Sequence, residues 1–133
     1  MSRMIFVNLP VKDLAKSVEF FTGLGFEFNA QFTDENATCM VVNEQACVML
    51  LVEPFFSSFT TKDIVDTVTH TETMIALSAE SREEVDQLVD RAVAGGGRTT
   101  GHTEDHGYMY GRSFEDVDGH IWEVVWMDPS TIE

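Results

Sequence analysis

The sequence predicts an α+β fold of two tandem βαβββ modules, which form a curved mixed sheet with a cup-shaped cavity and helices on the outer face. Two observations predict it. Each half of the chain carries one strand, one stretch of apolar residues at helical spacing and three more strand-like runs, and each helix ends at glycines. We expect a single domain, 1–133, consisting of module one (1–54), a connecting flap (55–70) and module two (71–133). A chain of this length can bury one core.

The first module opens with a strand and a helix. Asp13 is a candidate N-cap, the apolar residues Leu14, Val18 and Phe21 recur at helical spacing, and glycines at 23 and 25 end the helix. Its expected strands are 4–11, 27–34, 37–43 and 46–53. Phe55, Phe56 and Phe59 follow, which are too many aromatic residues for a free linker. The segment is therefore expected to pack down as a flap or as an interface.

The second module repeats this order. Ser81, with Glu84 three residues later, forms a capping box, an amphipathic stripe runs through 85–93, and three glycines at 95–97 stop the helix. Its expected strands are 73–80, 98–105, 108–115 and 120–127.

Composition excludes several classes of partner. The net charge is −15 with only 8 Lys and Arg residues, which argues against nucleic acid and anionic membranes. The N-terminus lacks a signal-peptide pattern and no apolar run reaches membrane-spanning length, so we expect a cytoplasmic protein. Cys39 and Cys47 form neither a disulfide framework nor a zinc spacing, and are expected to be small buried strand residues in a reducing compartment.

Glu123 is the candidate functional residue. It interrupts the run 114–126, "FEDVDGHIWEVVW", which is otherwise apolar on both faces of its last strand. Trp122, Val124 and Trp126 are expected under a helix, which leaves Glu123 facing the cup. A buried carboxylate needs a hydrogen-bonding partner, a counter-charge or a metal.

Arg112 is one expected partner of Glu123. If the turn "DVDG" has two or four residues, Arg112 lies directly across the ladder and its guanidinium can pair with the carboxylate at the floor of the cup. Alternatively, Glu123 serves a ligand, or acts as a general base with a raised pKa. His102, His106 and His120 are expected to be solvated loop residues.

The paired modules resemble the vicinal oxygen chelate superfamily, which includes glyoxalase I, bleomycin-resistance proteins and extradiol dioxygenases. The resemblance is carried by "LPVKDLAKSVEFFTGLGF" in module one and "FEDVDGHIWEV" in module two. The run 105–129 is similar to the C-terminal half of bacterial proteins described as predicted lactoylglutathione lyases. The resemblance covers nearly the whole chain and specifies the fold more closely than the reaction.

The resemblance also implies where a metal would be bound in this fold. Matching Leu9 with Leu77, and Cys47 with His120, places the four ligand positions at Phe6, Leu50, Met74 and Glu123. Phenylalanine and leucine cannot ligate a metal, and a thioether suits zinc, nickel, iron or manganese poorly. We therefore expect neither a metal nor another cofactor at these positions.

An apolar cup with a few polar groups suits a small-molecule ligand. The expected ligand-binding residues are Phe6, Asn8, Leu50, Met74, Tyr108, Tyr110 and Arg112, with Glu123 as the candidate catalytic residue. Two functions follow: a metal-independent small-molecule-binding protein, or a lyase or isomerase of the glyoxalase kind that uses Glu123 as its base. The resemblance also implies a homodimer.

Overall fold

The computed structural model describes residues 3–131 and confirms an α+β fold of two tandem βαβββ modules. The helices are α1 (Leu14–Gly23), α2 (Glu53–Ser57) and α3 (Arg82–Ala94). The strands are β1 (Ile5–Val11), β2 (Glu27–Asn29), β3 (Ala37–Asn43), β4 (Ala46–Val52), β5 (Met74–Ala79), β6 (Arg98–Asp105), β7 (Met109–Glu115) and β8 (Ile121–Met127).

Each module has its own four-stranded sheet with the same topology. The strand orders are β1-β4-β3-β2 and β5-β8-β7-β6, in which the first pair is parallel and the others are antiparallel. The chain divides into two compact units, one ending at Val65 and the other beginning at Asp66. The boundary lies inside the expected flap, and the single-domain organisation stays a prediction.

The two long helices begin where the sequence predicts. The Asp13 carboxylate accepts a hydrogen bond from the Lys16 amide at 3.2 Å, and the Ser81 hydroxyl accepts one from the Glu84 amide at 3.0 Å. Both bonds satisfy amides that a helix leaves without an internal partner. α3 buries Val85, Val89 and Ala92, and α1 buries Ser17, Phe20 and Phe21.

Two elements differ from their predicted form. The strand expected over 27–34 ends at Asn29 because the Asn29 side chain accepts a hydrogen bond from the Gln31 amide at 3.0 Å, which starts a 3-10 turn, Ala30–Phe32. The flap begins with α2, which has Pro54 in its first turn and packs against β1 and β4. Within residues 3–131, no helix has the length and apolar character needed to cross a membrane.

Candidate functional site

The register between β7 and β8 differs from the predicted register by one residue. Glu115 pairs with Ile121, so the connection has five residues instead of two or four, and Gly119 adopts a positive φ of 90° within it. As a result Glu123 lies opposite Ser113, whereas Arg112 lies opposite Val124. The predicted Arg112–Glu123 pair is therefore wrong.

Arg112 and Tyr110 lie on the face of the module-two sheet that α3 covers. The Arg112 guanidinium donates to Asp86 at 2.9 Å and to Asp90 at 3.3 Å, and the Tyr110 hydroxyl donates to Asp86 at 2.7 Å. The hydrogen bond from Tyr110, followed by the one from Arg112, lowers the pKa of Asp86. Sharing a face was correctly predicted for Tyr110 and Arg112, but their predicted position at the floor of the cup is wrong.

Glu123 lies on the opposite face, which we call the inner face of module two. Its neighbours across the strands are Ala76 and Ser113, and Trp122 and Val124 point to the other face, where they are fully buried. The Ser113 hydroxyl is hydrogen-bonded to Thr100 instead. Within residues 3–131 the half-buried Glu123 carboxylate has neither a hydrogen bond nor an ion pair. It is therefore available to a ligand or to solvent.

The inner face of module two also carries a cavity of about 530 Å³. It lies further along the same strands, at Ala76, Ser78, Val125 and Met127. Ser78 pairs with Val125 in the parallel ladder, one inward position beyond the Ala76–Glu123 pair. The carboxylate therefore stands beside this cavity and does not form its wall.

The three histidines predicted to be solvated, His102, His106 and His120, have different environments. His102 and His106 are exposed, as predicted, and each approaches Glu104, at 3.1 and 3.8 Å. His120 is instead buried, with 3% of its surface exposed, and its Nδ1 lies 3.1 Å from Glu72 Oε1. The prediction of a solvated loop residue is wrong for His120 because the turn folds inward.

Asp116 organises that turn, although no pattern in the sequence distinguishes it from its acidic neighbours. Its Oδ1 accepts hydrogen bonds from the amides of Asp118 (2.9 Å) and His120 (3.0 Å), and its Oδ2 accepts one from the Trp122 indole at 2.9 Å. Burial raises the pKa of the Asp116 carboxyl, while His120 and the donors oppose that rise. These three donors belong to the turn and to β8, so Asp116 holds the turn in place.

The pairing of first and last strands also corrects the match between modules. Phe6 pairs with Cys47, and Met74 pairs with Ile121, so Cys47 corresponds to Ile121 and not to His120. The residue of module one that matches Glu123 is consequently Met49. Leu50 is fully buried and points to the other face of its sheet, so its predicted place in the cup is wrong.

The inner face of module one, which carries Asn8, Met49 and Leu51, holds the second large cavity. This cavity encloses about 600 Å³ between β1, β4 and the flap. Its lining consists of Asn8, Met49, Leu51, Phe55, Phe56, Phe59 and Thr60. Phe55 and Phe59 meet edge to face, with their ring centroids 5.1 Å apart. Among the described residues, 3–131, no ionisable side chain lines this cavity, and Asn8 and Thr60 are the polar groups of the lining.

Of this lining, Asn8 was predicted as a ligand-binding residue. The three phenylalanines were predicted only to pack down as a flap or an interface, and Met49, Leu51 and Thr60 were missed. The parallel pairing of Asn8 with Met49 is the signal that would have found Met49. Phe6 and Met74 are exposed, at 52% and 60%. Tyr108 is also exposed and stacks on His106. A role for these three residues in binding stays a prediction.

The residues at the metal positions implied by the resemblance do not suit zinc, nickel, iron or manganese, metals that nitrogen and oxygen ligands can hold. With the corrected register they are Phe6, Met49, Met74 and Glu123, which supply one carboxylate and two thioethers. Within residues 3–131, no group of three or more His, Cys, Asp and Glu side chains could hold a metal ion. We derive no chemistry through a metal at these positions.

Cys39 and Cys47 are both buried and carry free thiols. Burial, together with the hydrogen bond between the two thiols, raises the pKa of Cys39 to about 11. The expectation of small buried strand residues is confirmed.

The comparisons with known proteins agree with this architecture. The family model of the Glyoxalase/Bleomycin resistance protein/Dioxygenase superfamily matches residues 3–124. The hypothetical protein SA1046 of Staphylococcus aureus is 30% identical, with 95% of each chain covered and a TM-score of 0.79. None of the proteins of curated function matches this chain.

Two more distant structures show the same fold. The fosfomycin resistance protein FosX of Listeria monocytogenes is 19% identical, with 98% of this chain and 97% of that chain covered and a TM-score of 0.68. A lactoylglutathione lyase of Agrobacterium tumefaciens is 16% identical, with 95% and 94% covered and a TM-score of 0.66. The match of the family model over 3–124, with the two βαβββ modules observed, shows that this chain belongs to the glyoxalase/bleomycin resistance protein/dioxygenase superfamily.

Proposed function

We propose that the protein binds a small, largely apolar molecule in the module-one cavity without using a metal of the glyoxalase type. The observation that carries this proposal is the cavity of about 600 Å³ between Asn8, Met49 and the phenylalanines of the flap. Ligand pockets for drug-sized molecules have volumes of roughly 300–1,000 Å³, are mostly apolar and contain a few polar groups.

The shape of the flap supports this proposal. α2 places Phe55 and Phe56 over the β-strands, and the chain then turns so that Phe59 meets Phe55. Aromatic rings bury a large area while losing few rotamers, which makes them effective walls for an apolar ligand. Asn8 is exposed to the cavity and supplies an amide that can fix a ligand's orientation.

A neutral solvatochromic dye, Nile red, tests the cavity. We expect saturable binding with a fluorescence increase and blue shift. We also expect Phe59→Ser to weaken binding at least about fivefold, since an aromatic contact with the bound dye contributes about 1 kcal/mol. Phe32→Ser is the matched control, because Phe32 is 59% exposed and lies outside the cavity, while Phe59 is 70% exposed. Equal loss in both variants, or unchanged binding in Phe59→Ser, contradicts the proposal.

The second candidate function is a lyase or isomerase with Glu123 as general base. The carboxylate without a partner on the inner face of module two favours it. Conversion of the hemithioacetal of methylglyoxal and glutathione, assayed with added zinc or nickel and with chelator, separates the two functions. Our binding proposal expects no conversion, whereas turnover that Glu123→Gln abolishes favours the enzyme.

Metal content, oligomeric state and location complete the proposal. Elemental analysis of the purified protein is expected to find no stoichiometric zinc, nickel, iron or manganese, and finding one of these would overturn metal independence. A homodimer in the cytoplasm is what the superfamily and the composition suggest. Sedimentation velocity at several protein concentrations tests the dimer, and a concentration-independent monomer contradicts it.

A further inference from the structure

Three sulfur-bearing side chains lie together on the inner face of module one: Cys39, Cys47 and Met49, here called the sulfur cluster. Cys39 pairs directly with Met49 across the antiparallel ladder between β3 and β4. Cys47 precedes Met49 by two residues on β4 and therefore points to the same face. Directly paired and diagonal residues on one face of an antiparallel pair are within reach of each other.

The two thiols of the cluster are diagonal neighbours and are shielded from solvent. Cys39 lies diagonally across the β3–β4 ladder from Cys47, and the two residues are 2% and 8% exposed. Met49 is less buried and forms part of the wall of the cavity. The two thiols of the cluster are therefore buried, whereas the Met49 thioether borders the module-one cavity, which is large enough to admit an ion.

The chemistry of these donors selects a class of metal. Thiolate and thioether sulfurs are soft ligands that favour Cu(I), while imidazole and carboxylate ligands suit zinc, nickel and manganese. The cluster contains sulfur alone. We propose that Cys39, Cys47 and Met49 form a binding site for Cu(I), which shares only Met49 with the metal positions that the superfamily uses.

Binding at this site is ligand exchange without a redox step. Cu(I) keeps its oxidation state, two copper–thiolate bonds form, the two thiol protons pass to solvent and the Met49 sulfur donates a lone pair. The protein's net charge of −15 raises the local concentration of cations around it. Met49 belongs both to the sulfur cluster and to the wall of the module-one cavity, whereas Cys39 and Cys47 belong to the cluster alone.

The test is an anaerobic titration of the full chain with Cu(I) in competition with the chelator bathocuproine disulfonate. We expect one Cu(I) per chain for the wild type and loss of competition in Cys39→Ser and Cys47→Ser. Met49→Leu conserves volume, removes the thioether and is expected to weaken copper binding. Met127→Leu is the control, because Met127 is exposed and lies in module two.

X-ray absorption of the copper-loaded wild type covers the case in which a cysteine variant does not fold. A first coordination sphere of sulfur atoms supports the site. Nitrogen or oxygen ligands, failure of the wild type to compete with the chelator, or full binding by a folded Cys39→Ser/Cys47→Ser double variant would each overturn it.

Discussion

At the scale of single residues, Gly119 sets the shape of the turn that fixes the register of β8. It has a φ of +90°, and a Cβ atom there would lie 2.7 Å from the carbonyl oxygen of Thr67. The Thr67 hydroxyl in turn donates to the carbonyl of Asp118. The segment around Thr67 can approach the turn so closely because Gly119 has no side chain.

We expect Gly119→Ala to destabilise the protein by more than the roughly 1–3 kcal/mol that a left-handed backbone conformation alone costs a residue with a side chain. The steric overlap with Thr67 adds to that cost. Gly101→Ala is the matched control, since Gly101 has a φ of +80° and no atom within 4 Å of the added Cβ. Urea unfolding measures both, and equal losses would show that the close approach to Thr67 is unimportant.

Asp116 is the second residue on which the turn depends. Asp116→Val removes the acceptor of three N–H donors, and each buried donor left without a partner costs about 1–3 kcal/mol, so we expect a loss of at least about 2 kcal/mol. Urea unfolding followed by the fluorescence of the two tryptophans, Trp122 and Trp126, measures it. Asp128→Val, which removes bonds to the exposed Ser130, should cost less. A larger loss in the control would contradict this role.

At the scale of elements, ion pairs and hydrogen bonds at the edge of the buried core connect α3 to its sheet. Arg82 donates two hydrogen bonds to Asp105, and its guanidinium lies 5.0 Å from the ring centroid of Tyr110 and 5.3 Å from that of Trp126. The Arg82 guanidinium holds the pKa of Asp105 well below its usual range. The N-terminus of α3 is thereby tied to the β6–β7 hairpin.

Arg112 fastens the middle of α3, and its loss should be mild. Asp86 and Asp90 are about half and two thirds exposed, so water can replace the guanidinium. We expect Arg112→Met to cost about 1 kcal/mol or less, and not the roughly 3–5 kcal/mol of a broken buried pair. Urea unfolding measures this, and a loss above about 3 kcal/mol would contradict it.

The pKa of Asp86 gives this contact a pH dependence. Because the folded-state pKa is lowered from 3.8, the unfolded chain binds the proton more tightly, and stability is gained above 3.8 and lost as pH falls through the lower folded value. The gap in unfolding free energy between wild type and Asp86→Asn should therefore be constant near neutral pH and close below about pH 4. A gap that widens on acidification would contradict this.

The elements also show how far sequence reasoning could go. The two long helices, α1 and α3, were predictable together with their caps and the repeated strand order, because apolar spacing and capping residues act locally. The register of β8 was not, since it depends on a five-residue turn held by Asp116 and Gly119. That single residue of shift moved Arg112 away from Glu123. The match between the modules contained the same one-residue error, so Leu50 was predicted at the position that Met49 occupies.

At the scale of the whole molecule, the net charge of −15 works against compactness. Mutual repulsion among 23 acidic residues destabilises the folded state, and added salt screens it over a Debye length of about 10 Å at 0.1 M. We expect the thermal midpoint to rise between 10 and 200 mM NaCl. Differential scanning fluorimetry measures it, with sucrose at matched osmolarity as the uncharged control, and a falling midpoint would contradict the dominance of repulsion.

The polar strand β6 has a consequence for crowded solutions. All eight of its residues are exposed, none is a large apolar residue, and its pairing with β7 shifts register between Thr99 and Thr103. An outermost strand offers its free backbone groups to any extended peptide, and charge and irregularity make it a poor template for fibril growth. Replacing Thr100, His102 and Glu104 with valine would leave an apolar edge strand of high β-propensity and low charge. Segments of this kind form amyloid when they are exposed.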